Sequence, residues 1–554
     1  MSKEFTFLQL SSLEKILLTS NYTEQDEVQG ISALKGERVS YQILYKKEGE
    51  DSRKTTVRFS CNADSRLTVQ FRSVGNVPCA MPAYTRDNDD YYLSKEPGLF
   101  PDVLYPIKDD TFEVIQDRSH SLFVTVIIPK DMPAGEYPVE IVLAYGEEEQ
   151  KKTFTVKVLN ACLPEQELTY TQWFHADCIA SYYNQEVFSE QHWAMIEKFI
   201  KMASYIGINM ILTPVFTLPL DTEVGGERPT VQLVDVRYDN GIYSFGFDKL
   251  KRWIKICKEN GINKFEISHL FTQWGTGCTP KIEAETNEGK KKLFGWHVKA
   301  DTPEYRSFLK AFIPQLIDFL KAECVYDDTY FHVSDEPDYK LHYECYKTER
   351  EILKGLIPDE KIMDAMSHYE FCECGLMDNP VVVTSSVDSF FERGINDIWA
   401  YYCCCPAGGG YSNRFIAMPS GRNRVTGMQL YKYGINGFLH WGYNFYYSQL
   451  SKRAINPFLV TDADEAFPSG DAFCVYPAED GPIESIRSVV FYEALQDIRA
   501  CKFLESYIGK AGVDAIIDEN GVKSFNEYPR TDRAVAQIRE RINNKIEEVL
   551  EKQV

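Results

Sequence analysis

The chain has 554 residues with a formal net charge of −22 at pH 7, and 44% of its residues are hydrophobic. This length is enough for roughly two to four domains. So acidic a chain does not suit nucleic acid, which needs basic patches, and it contains no apolar run of about 18 residues that could span a membrane.

Residues 1–162 predict a β-sandwich. The runs KTTVRFSC, LTVQFRSV and SLFVTVIIP, which begin at residues 54, 67 and 121, are rich in β-forming residues and roughly alternate between apolar and polar side chains. A charged turn then joins two further strand-like stretches between residues 133 and 159. Many short strands separated by turn residues are typical of a sandwich, and the following sequence NACLPEQE is interpreted as a linker.

Residues 163–512 predict a (β/α)8 barrel of the TIM type. Short apolar runs alternate there with helix-like segments, as expected when helices cover a parallel sheet. The eight runs are LTYTQWFH (168–175), INMILTP (208–214), INKFEISH (262–269), TYFHVSDEP (329–337), KIMDAMSH (361–368), PVVVTSS (380–386), DIWAYYCC (397–404) and INGFLHWGYN (435–444). A doubly wound open sheet is the alternative, although no G-x-G-x-x-G or Walker loop follows the first run. Residues 513–554 predict a C-terminal helical extension.

The cysteines and acidic stretches do not predict a metal site. The N-terminal sequence has no basic region followed by an apolar core, so no secretory signal is expected, and the fifteen cysteines are interpreted as reduced thiols of a cytoplasmic protein. The spacing of Cys372 and Cys374 is a weak zinc pattern, and we expect no metal and no other cofactor. The stretch TDADEAFPSGD (461–471) has a calcium-like composition without the regular ligand spacing, which favours an acidic surface loop.

The stretch YFHVSDEPDY (330–339) places two carboxyl side chains, Asp335 and Glu336, at the end of the fourth predicted barrel strand. In a (β/α)8 barrel the functional groups gather at the carboxyl ends of the strands and in the loops that follow them. A salt-bridged surface pair is the ordinary alternative. Polar and aromatic residues collect at most of the predicted strand ends, however, and this pattern favours an active site.

The same reasoning selects the candidate substrate contacts. They are His175 and Asp177 after the first strand, His269 and Trp274 after the third, Asp364 on the fifth, Tyr401, Tyr402 and Arg414 around the seventh, and Trp441 and Asn444 after the eighth. An aromatic mouth with acids and amides suits a sugar, because pyranose C–H faces stack on aromatic rings and hydroxyl groups pair with polar side chains. Acid chemistry at such a pocket, without a metal-binding motif, predicts glycoside hydrolysis.

The adjacency of the two carboxyls indicates a mechanism. Ordinary glycosidases place two carboxyls on opposite sides of the scissile bond, ~5–5.5 Å apart in retaining enzymes, and neighbours on one strand cannot easily do this. A pair on one wall suits substrate-assisted catalysis, in which one carboxyl protonates the leaving oxygen and the other orients the 2-acetamido group of the substrate. Two carboxylates this close also raise one pKa, which keeps the acid protonated near neutral pH.

Several segments resemble glycoside hydrolase family 123 and the related domain of unknown function 4091. They are FHVSDEP, DAMSHYE, WAYYCC, the stretch from Asn413 to Asn444, and VYPAEDGPIESIR. The resemblance covers most of the chain and implies a retaining β-N-acetylgalactosaminidase that uses the acetamido-assisted route on an oligosaccharide or a glycoconjugate. By this resemblance Asp335 orients and polarises the acetamido group, and Glu336 is the general acid/base.

The remaining candidates have expected roles in sugar binding. Trp441 is expected to form the platform under the reacting sugar, and Tyr401 or Tyr402 to hydrogen-bond the acetamido oxygen. The others would contact hydroxyl groups. Two alternatives stay open: a glycosidase of other specificity, in which one acid of the pair works with a distant carboxyl such as Asp177 or Asp364, and a non-catalytic carbohydrate-binding barrel.

Overall fold

The computed structural model describes residues 5–48, 54–275 and 277–552. The part of the chain up to Cys162 is rich in strands, as the sequence predicts. Its strands are β1 Phe5–Ser11, β2 Gly30–Lys35, β3 Arg38–Lys47, β4 Thr55–Asn62, β5 Thr68–Cys79, β6 Gly98–Pro106, β7 Thr111–Val114, β8 His120–Ile127, β9 Gly135–Tyr145 and β10 Glu148–Cys162. A short 3-10 helix at Glu24–Asp26 lies between β1 and β2.

These strands form two five-stranded sheets, with the orders β1-β3-β8-β5-β6 and β2-β10-β9-β4-β7. Alternation along each strand turns one set of side chains inward, and apolar residues from both sheets share a single hydrophobic cluster. Tyr41 on β3 and Phe154 on β10 stack across it with their ring centroids 3.9 Å apart. The apolar face of each sheet is therefore buried against the other.

The second part of the chain alternates strands with helices. Its elements are β11 Thr169–Gln172, α1 Ala176–Tyr182, α2 Glu190–Tyr205, β12 Met210–Thr213, β13 Asp235–Asp239, β14 Ile242–Gly246, α3 Asp248–Glu259, β15 Lys264–Ile267, β16 Ile282–Thr286, β17 Gly289–Phe294, α4 Pro303–Ala322, β18 Thr329–Phe331, α5 Tyr339–Leu353, β19 Met363–Met366, α6 Glu370–Glu373, β20 Asn379–Val383, α7 Val387–Phe391, β21 Trp399–Tyr401, α8 Ser420–Arg424, α9 Thr426–Tyr433, β22 Gly437–His440, β23 Val475–Ala478, β24 Gly481–Glu484, α10 Ile486–Glu519 and α11 Asp532–Glu551. Short 3-10 helices lie at Gln273–Gly275, Tyr326–Asp328, Asp359–Lys361 and Gln449–Ser451.

Eight parallel strands form a nearly closed barrel in the order β18-β15-β12-β11-β22-β21-β20-β19. Seven of the eight apolar runs of the sequence contain one of these strands, and the run at 380–386 overlaps β20, which begins one residue earlier. At least one helix follows every strand. The two end strands of the sheet, β18 and β19, approach each other through the parallel bridge between Phe331 and Ile362. We call this junction the seam of the barrel.

Further strands decorate the barrel. β13, β14, β16 and β17 form a four-stranded sheet in the connections that follow β12 and β15, and β23 pairs with β24. The long helix α10 contains a break at Gly509, whose φ of +71° is accessible to glycine without strain. The predicted domain limits at residues 162 and 163 coincide with the end of β10, whereas the limit at residue 512 falls within α10. Residues 1–4 and 553–554 at the outer limits lie outside the described residues.

The N-terminal strands are attached to the C-terminal helices through buried charges. Arg487 on α10 donates to both carboxylate oxygens of Asp102 on β6 over 3.0–3.1 Å. Arg539 on α11 is paired with Glu37, in the β2–β3 turn, and with Asp497. In the described part of the chain, none of the helices combines the length and the hydropathy needed to cross a membrane.

Candidate active site

The acid pair lies just beyond β18, at the carboxyl end of the barrel strands. Asp335 and Glu336 are half-buried, and the backbone at Glu336 has a φ of +43°. Trp274, in the loop after β15, has a φ of +55°, and its N–H donates to the Asp335 carbonyl over 2.8 Å. Left-handed backbone costs L-residues roughly 1–3 kcal/mol and concentrates at functional sites. Both residues with this conformation line the same pocket.

The pocket at this end of the barrel combines aromatic walls with carboxyl groups. It is lined by Trp173, His175, Leu220, Asp221, Trp274, Asp335, Glu336, Ala365, Tyr401, Cys403, Cys404, Leu439, Trp441 and Phe467. Three of these side chains are acids. Aromatic and apolar surface beside a few convergent polar groups is the usual composition of a small-molecule site.

The two acids have different neighbours. Tyr401 on β21 donates its hydroxyl proton to Glu336 Oε1. Among the described residues no side chain or backbone group is hydrogen-bonded to the Asp335 carboxyl, whose oxygens are therefore available to a ligand. Burial raises the pKa of Glu336, while the Tyr401 hydrogen bond opposes this rise. Burial and then the Glu336 charge raise the pKa of Asp335. Two interacting carboxyls with raised pKa values titrate as a pair and can share one proton.

A buried polar network lies beneath Asp335. His332 contacts Glu266 Oε2 through Nε2 over 2.9 Å and Asp364 Oδ1 through Nδ1 over 3.3 Å. Asp364 also accepts the Tyr346 hydroxyl over 2.7 Å, and burial raises the pKa of its carboxyl. His269 stacks on His332 with the ring centroids 4.4 Å apart, and burial keeps the pKa of His269 far below its usual value.

A second buried network supports the opposite side of the pocket. Arg228 donates two hydrogen bonds of 2.8 and 2.9 Å to the Asp177 carboxylate and a third, of 3.1 Å, to His175 Nδ1. Because Arg228 can only donate, His175 carries its proton on Nε2 and gives it to the Trp441 carbonyl over 3.1 Å. Burial and the Arg228 charge lower the pKa of His175 to about 3, so His175 is neutral in the pocket wall.

Trp441 is held in place from behind. Its indole N–H donates to Asp471 Oδ2 over 2.9 Å, and burial raises the pKa of Asp471 to about 7 against this hydrogen bond. His440 Nδ1 accepts from Arg414 over 2.8 Å, so its protonated Nε2 faces Asp471 Oδ1 at 3.4 Å. The indole ring therefore presents a fixed face to the pocket.

The structure brings some of the predicted site residues to the pocket and leaves others behind its walls. Asp335, Glu336, His175, Trp274, Tyr401 and Trp441 line the pocket. The others are buried away from its lining: Asp177, His269, Asp364, Tyr402, Arg414 and Asn444. Tyr402 turns outward because successive strand side chains alternate, and Asn444 exchanges hydrogen bonds of 2.8 and 3.1 Å with the His175 backbone. For these six residues the geometry provides support of the wall instead of contact with a bound molecule.

Sequence reasoning missed several pocket residues. Asp221 lies in the long connection after β12, accepts the Leu450 N–H over 3.0 Å, and has its pKa raised by burial to about 6. Cys403 and Cys404 lie just after β21, and the sequence identifies them only as two of the reduced thiols. A signal existed for Glu266, because a charged residue inside the apolar run INKFEISH indicates a buried polar partner.

Two clusters have the composition of metal sites but not the geometry. The first joins His269, His332 and Asp364, but the two rings are stacked only 13° from parallel, so their in-plane lone pairs do not converge on one point. The second joins His175, Asp177 and Cys178, and the Arg228 guanidinium contacts all three groups. Three carboxylates of the 461–471 stretch have separate protein partners: the Glu465 N–H for Asp462, Arg453 for Asp464 and the Trp441 indole for Asp471.

A nearly closed parallel barrel with a carboxyl pair and an aromatic pocket at its carboxyl end defines a barrel enzyme of the glycoside hydrolase class. Residues 173–504 match the model of the glycoside hydrolase 123 catalytic domain, which is more than half of the chain. The chain therefore belongs to glycoside hydrolase family 123.

One solved structure of this family shares the fold of the chain. The chain superposes on a family 123 glycoside hydrolase from Clostridium perfringens, an enzyme of glycolipid glycan hydrolysis, with a TM-score of 0.75, 15% identity and 99% coverage of both chains. It also matches a β-glucuronidase from Parabacteroides merdae (TM-score 0.31, 12% identity, 83% and 50% coverage) and an endo-β-1,4-mannanase from Thermotoga petrophila (TM-score 0.33, 13% identity, 61% and 78% coverage). No curated protein matches the chain.

Proposed function

We propose that this glycoside hydrolase removes terminal β-linked N-acetylhexosamine with retention of configuration, by participation of the substrate's own 2-acetamido group. N-acetylgalactosamine is the sugar we favour. The observation that carries the proposal is that two carboxyls adjacent in sequence, Asp335 and Glu336, line a single pocket. Adjacent residues on one wall do not straddle a glycosidic bond, so the nucleophile has to come from elsewhere, and the acetamido oxygen supplies it.

In the first step Glu336 is the acid. Its proton passes to the glycosidic oxygen while the acetamido carbonyl oxygen attacks the anomeric carbon, and the aglycone leaves as an alcohol. Asp335 accepts the amide N–H and stabilises the positive charge that develops on the cyclised acetamido group. An amide N–H facing Asp335 favours its ionised form, so substrate binding moves the shared proton of the pair to Glu336.

In the second step Glu336 is the base. It removes a proton from water as the water oxygen attacks the anomeric carbon, and the carbon–oxygen bond to the acetamido group breaks. Two inversions at the same carbon give net retention. The raised pKa of Glu336 supports both roles, because burial keeps its acid form populated to higher pH than for an ordinary glutamate.

Other pocket residues support the recognition of a pyranose. The fixed indole of Trp441 offers a face for the apolar C–H side of the ring. Asp221 has one carboxylate oxygen on the Leu450 N–H, and its other oxygen has no protein partner among the described residues. We assign it to a sugar hydroxyl. Neutral His175 adds no charge to a pocket that takes an uncharged sugar.

We also infer the finer classification of the fold and setting. A helix after every barrel strand supports a (β/α)8 barrel of the TIM type, and two sheets sharing one hydrophobic cluster support a β-sandwich. We propose a cytoplasmic enzyme acting on an imported oligosaccharide or glycoconjugate, since its fifteen cysteines are free thiols. The glycan of a glycolipid is one such substrate. Recovery of the enzyme outside intact cells would contradict this location.

The test is a panel of aryl β-glycosides with and without the 2-acetamido group. We expect turnover only of 2-acetamido sugars, release of the β-anomer first, and inhibition by a thiazoline analogue of the cyclised intermediate. Asp335→Asn and Glu336→Gln should each lower kcat by at least about 10²-fold, the lower range for acid–base catalysis.

Three outcomes would contradict the proposal. Equal turnover of sugars lacking the acetamido group would remove this mechanism while leaving a glycosidase. Wild-type activity in both acid variants would remove the catalytic pair. Sugar binding without turnover across the panel would indicate a carbohydrate-binding barrel. Glu344→Gln, an exposed glutamate on α5, is the matched control and should retain wild-type activity.

A further inference from the structure

Backbone pairing is sparse at the seam, close to the acid pair that follows β18. Among the described residues, β18 and β19 share only the bridge between Phe331 and Ile362. Immediately beyond it, the Asp364 carboxylate on β19 accepts the backbone N–H groups of Val333 and Ser334, over 2.9 and 3.4 Å. A side-chain carboxylate therefore replaces the strand ladder over the two residues that precede Asp335.

One histidine holds this carboxylate in place. His332 bonds Asp364 on β19 with one ring nitrogen and Glu266 on β15 with the other. Glu266 in turn accepts the indole N–H of Trp173, next to β11, over 3.2 Å. The His332, Glu266 and Asp364 side chains are all 0% exposed, so water does not screen or replace these contacts.

We propose that His332 is a positioning residue that works as an imidazolium: held between Glu266 and Asp364, it fixes the strand end that carries the acid pair and favours the ionised form of Asp335. The part that concerns Asp335 rests on the proposed function. The bonding supports the charge directly. A neutral imidazole has one N–H, so one of the two buried carboxylates would face a lone pair.

Among the titratable groups around His332, two carboxylates contact its ring nitrogens and the neighbouring histidine is neutral, so His332 carries the positive charge of this cluster. Glu266 and Asp364 face its two nitrogens, Asp335 lies beyond the strand end, and His269 stacks on its face. His269 is neutral, because burial and the His332 charge lower its pKa. Burial opposes the charge on His332 as well, but the hydrogen bonds to Asp364 and Glu266 outweigh it and raise the pKa of His332 to about 9.

The first experiment observes the charge without using activity. Nitrogen-15 NMR of wild-type enzyme at pH 7.5 should show both ring nitrogens of His332 protonated, with the signal assigned by its loss in His332→Gln. Asp364→Asn should lower the pH at which this ring titrates. A neutral imidazole in the wild type at pH 7.5 would overturn the proposal, whatever sugar the enzyme hydrolyses.

The second experiment follows the effect on Asp335. With whichever glycoside the wild type turns over, His332→Gln should lower kcat about 10²-fold, the loss typical of a small misplacement of reacting groups, with little change in KM. The acidic limb of its pH profile should move to higher pH, since Asp335 loses a nearby positive charge. An unchanged limb together with wild-type kcat would overturn the proposal.

Controls separate this role from a loss of folding. His120→Gln changes a half-buried histidine on β8 and should leave kcat and both limbs unchanged. The stability lost in His332→Gln should be largest below pH 6.5 and should shrink as the pH rises through about 9, because the folded protein binds the proton more tightly than the unfolded chain. Failure of the wild type on all 2-acetamido sugars would refute the proposed function and leave the NMR result standing.

Discussion

Two consecutive tyrosines at the end of β21 serve different environments. Tyr401 points into the pocket and donates to Glu336, whereas Tyr402 points away from the pocket and its hydroxyl lies 3.3 Å from Asn423 Oδ1. The alternation of a strand is sufficient to separate them. Since a hydrogen bond to the ionised carboxylate lowers its pKa, Tyr401 limits how far burial can raise the pKa of Glu336.

Tyr401→Phe should therefore raise the pKa of Glu336. The basic limb of kcat/KM, which reports loss of the acid's proton, should move upward by about one pH unit, as expected for loss of a hydrogen bond to a charged group. Measurement of pH–rate profiles for Tyr401→Phe and Tyr402→Phe tests this. Tyr402→Phe is the matched control, and an equal displacement of its basic limb would contradict the assignment of Tyr401.

The protonation states of the histidines could not be predicted from sequence. His175 is neutral because Arg228, 53 residues further along the chain, donates to it. His332 is charged because two carboxylates from other strands face it. Asp335 and Glu336, by contrast, are consecutive residues, so their adjacency is known from the sequence. Local patterns reveal a candidate pair, but its electrostatic setting depends on contacts that only the fold creates.

At the scale of elements, the long connection after β12 is anchored by one buried ion pair. Arg228 from this connection holds Asp177 on α1, and the side chains are only 1% and 3% exposed. The guanidinium also donates to the Leu220 carbonyl over 3.0 Å, next to Asp221. The anchor therefore fixes the position of a pocket carboxyl that belongs to a loop.

Asp177→Asn should destabilise the protein strongly. Removing one partner leaves the Arg228 charge buried without compensation, which typically costs about 3–5 kcal/mol of the free energy of unfolding. Guanidinium denaturation measures this cost. The exposed, two-hydrogen-bond pair of Arg252 and Glu190 is the matched comparison, and Glu190→Gln should cost far less stability because solvent screens this pair. Similar losses in both variants would refute the anchoring role.

Elements were predictable where their pattern is local. The eight barrel strands follow from short apolar runs between helical segments, and each run contains or overlaps a strand. The sheet of β13, β14, β16 and β17 was not predicted. The dipeptide Asn240-Gly241 is a sequence signal for a hairpin. In the structure these two residues have φ values of +50° and +84° and form the two-residue turn that joins β13 to β14. Its place inside a barrel connection depends on tertiary packing.

At the scale of the whole molecule, buried charges connect the strand-rich N-terminal region to the last helices. Asp102 on β6 accepts from Arg487 on α10 and from the Tyr476 hydroxyl, the latter over 2.6 Å. Both ends of the ion pair are at most 1% exposed. The two regions are therefore expected to unfold together, because separating them would leave charges unpaired in apolar surroundings.

Asp102→Asn should lower the stability of both regions at once. We expect the wild type to show one cooperative thermal transition, and the variant to lose about 3–5 kcal/mol through the uncompensated Arg487 charge. Calorimetry with tryptophan fluorescence tests this, since the described N-terminal strands contain no tryptophan. Glu165→Gln removes one partner of an exposed pair with Lys130 and should leave the midpoint of thermal unfolding unchanged by calorimetry and by fluorescence. Independent melting of the two regions in the wild type would contradict the coupling.

The seam between β18 and β19 also affects the local stability of the barrel. The barrel is a curled eight-stranded sheet whose end strands, β18 and β19, are joined by one backbone bridge among the described residues. This junction lies next to the acid pair. Local opening would begin at this junction and would move the acid pair, which follows β18, away from Asp364 on β19 before it disturbed the rest of the barrel. A sugar held by both acids opposes that motion, so occupancy of the pocket should slow amide hydrogen exchange at Val333 and Ser334 more than elsewhere in the barrel.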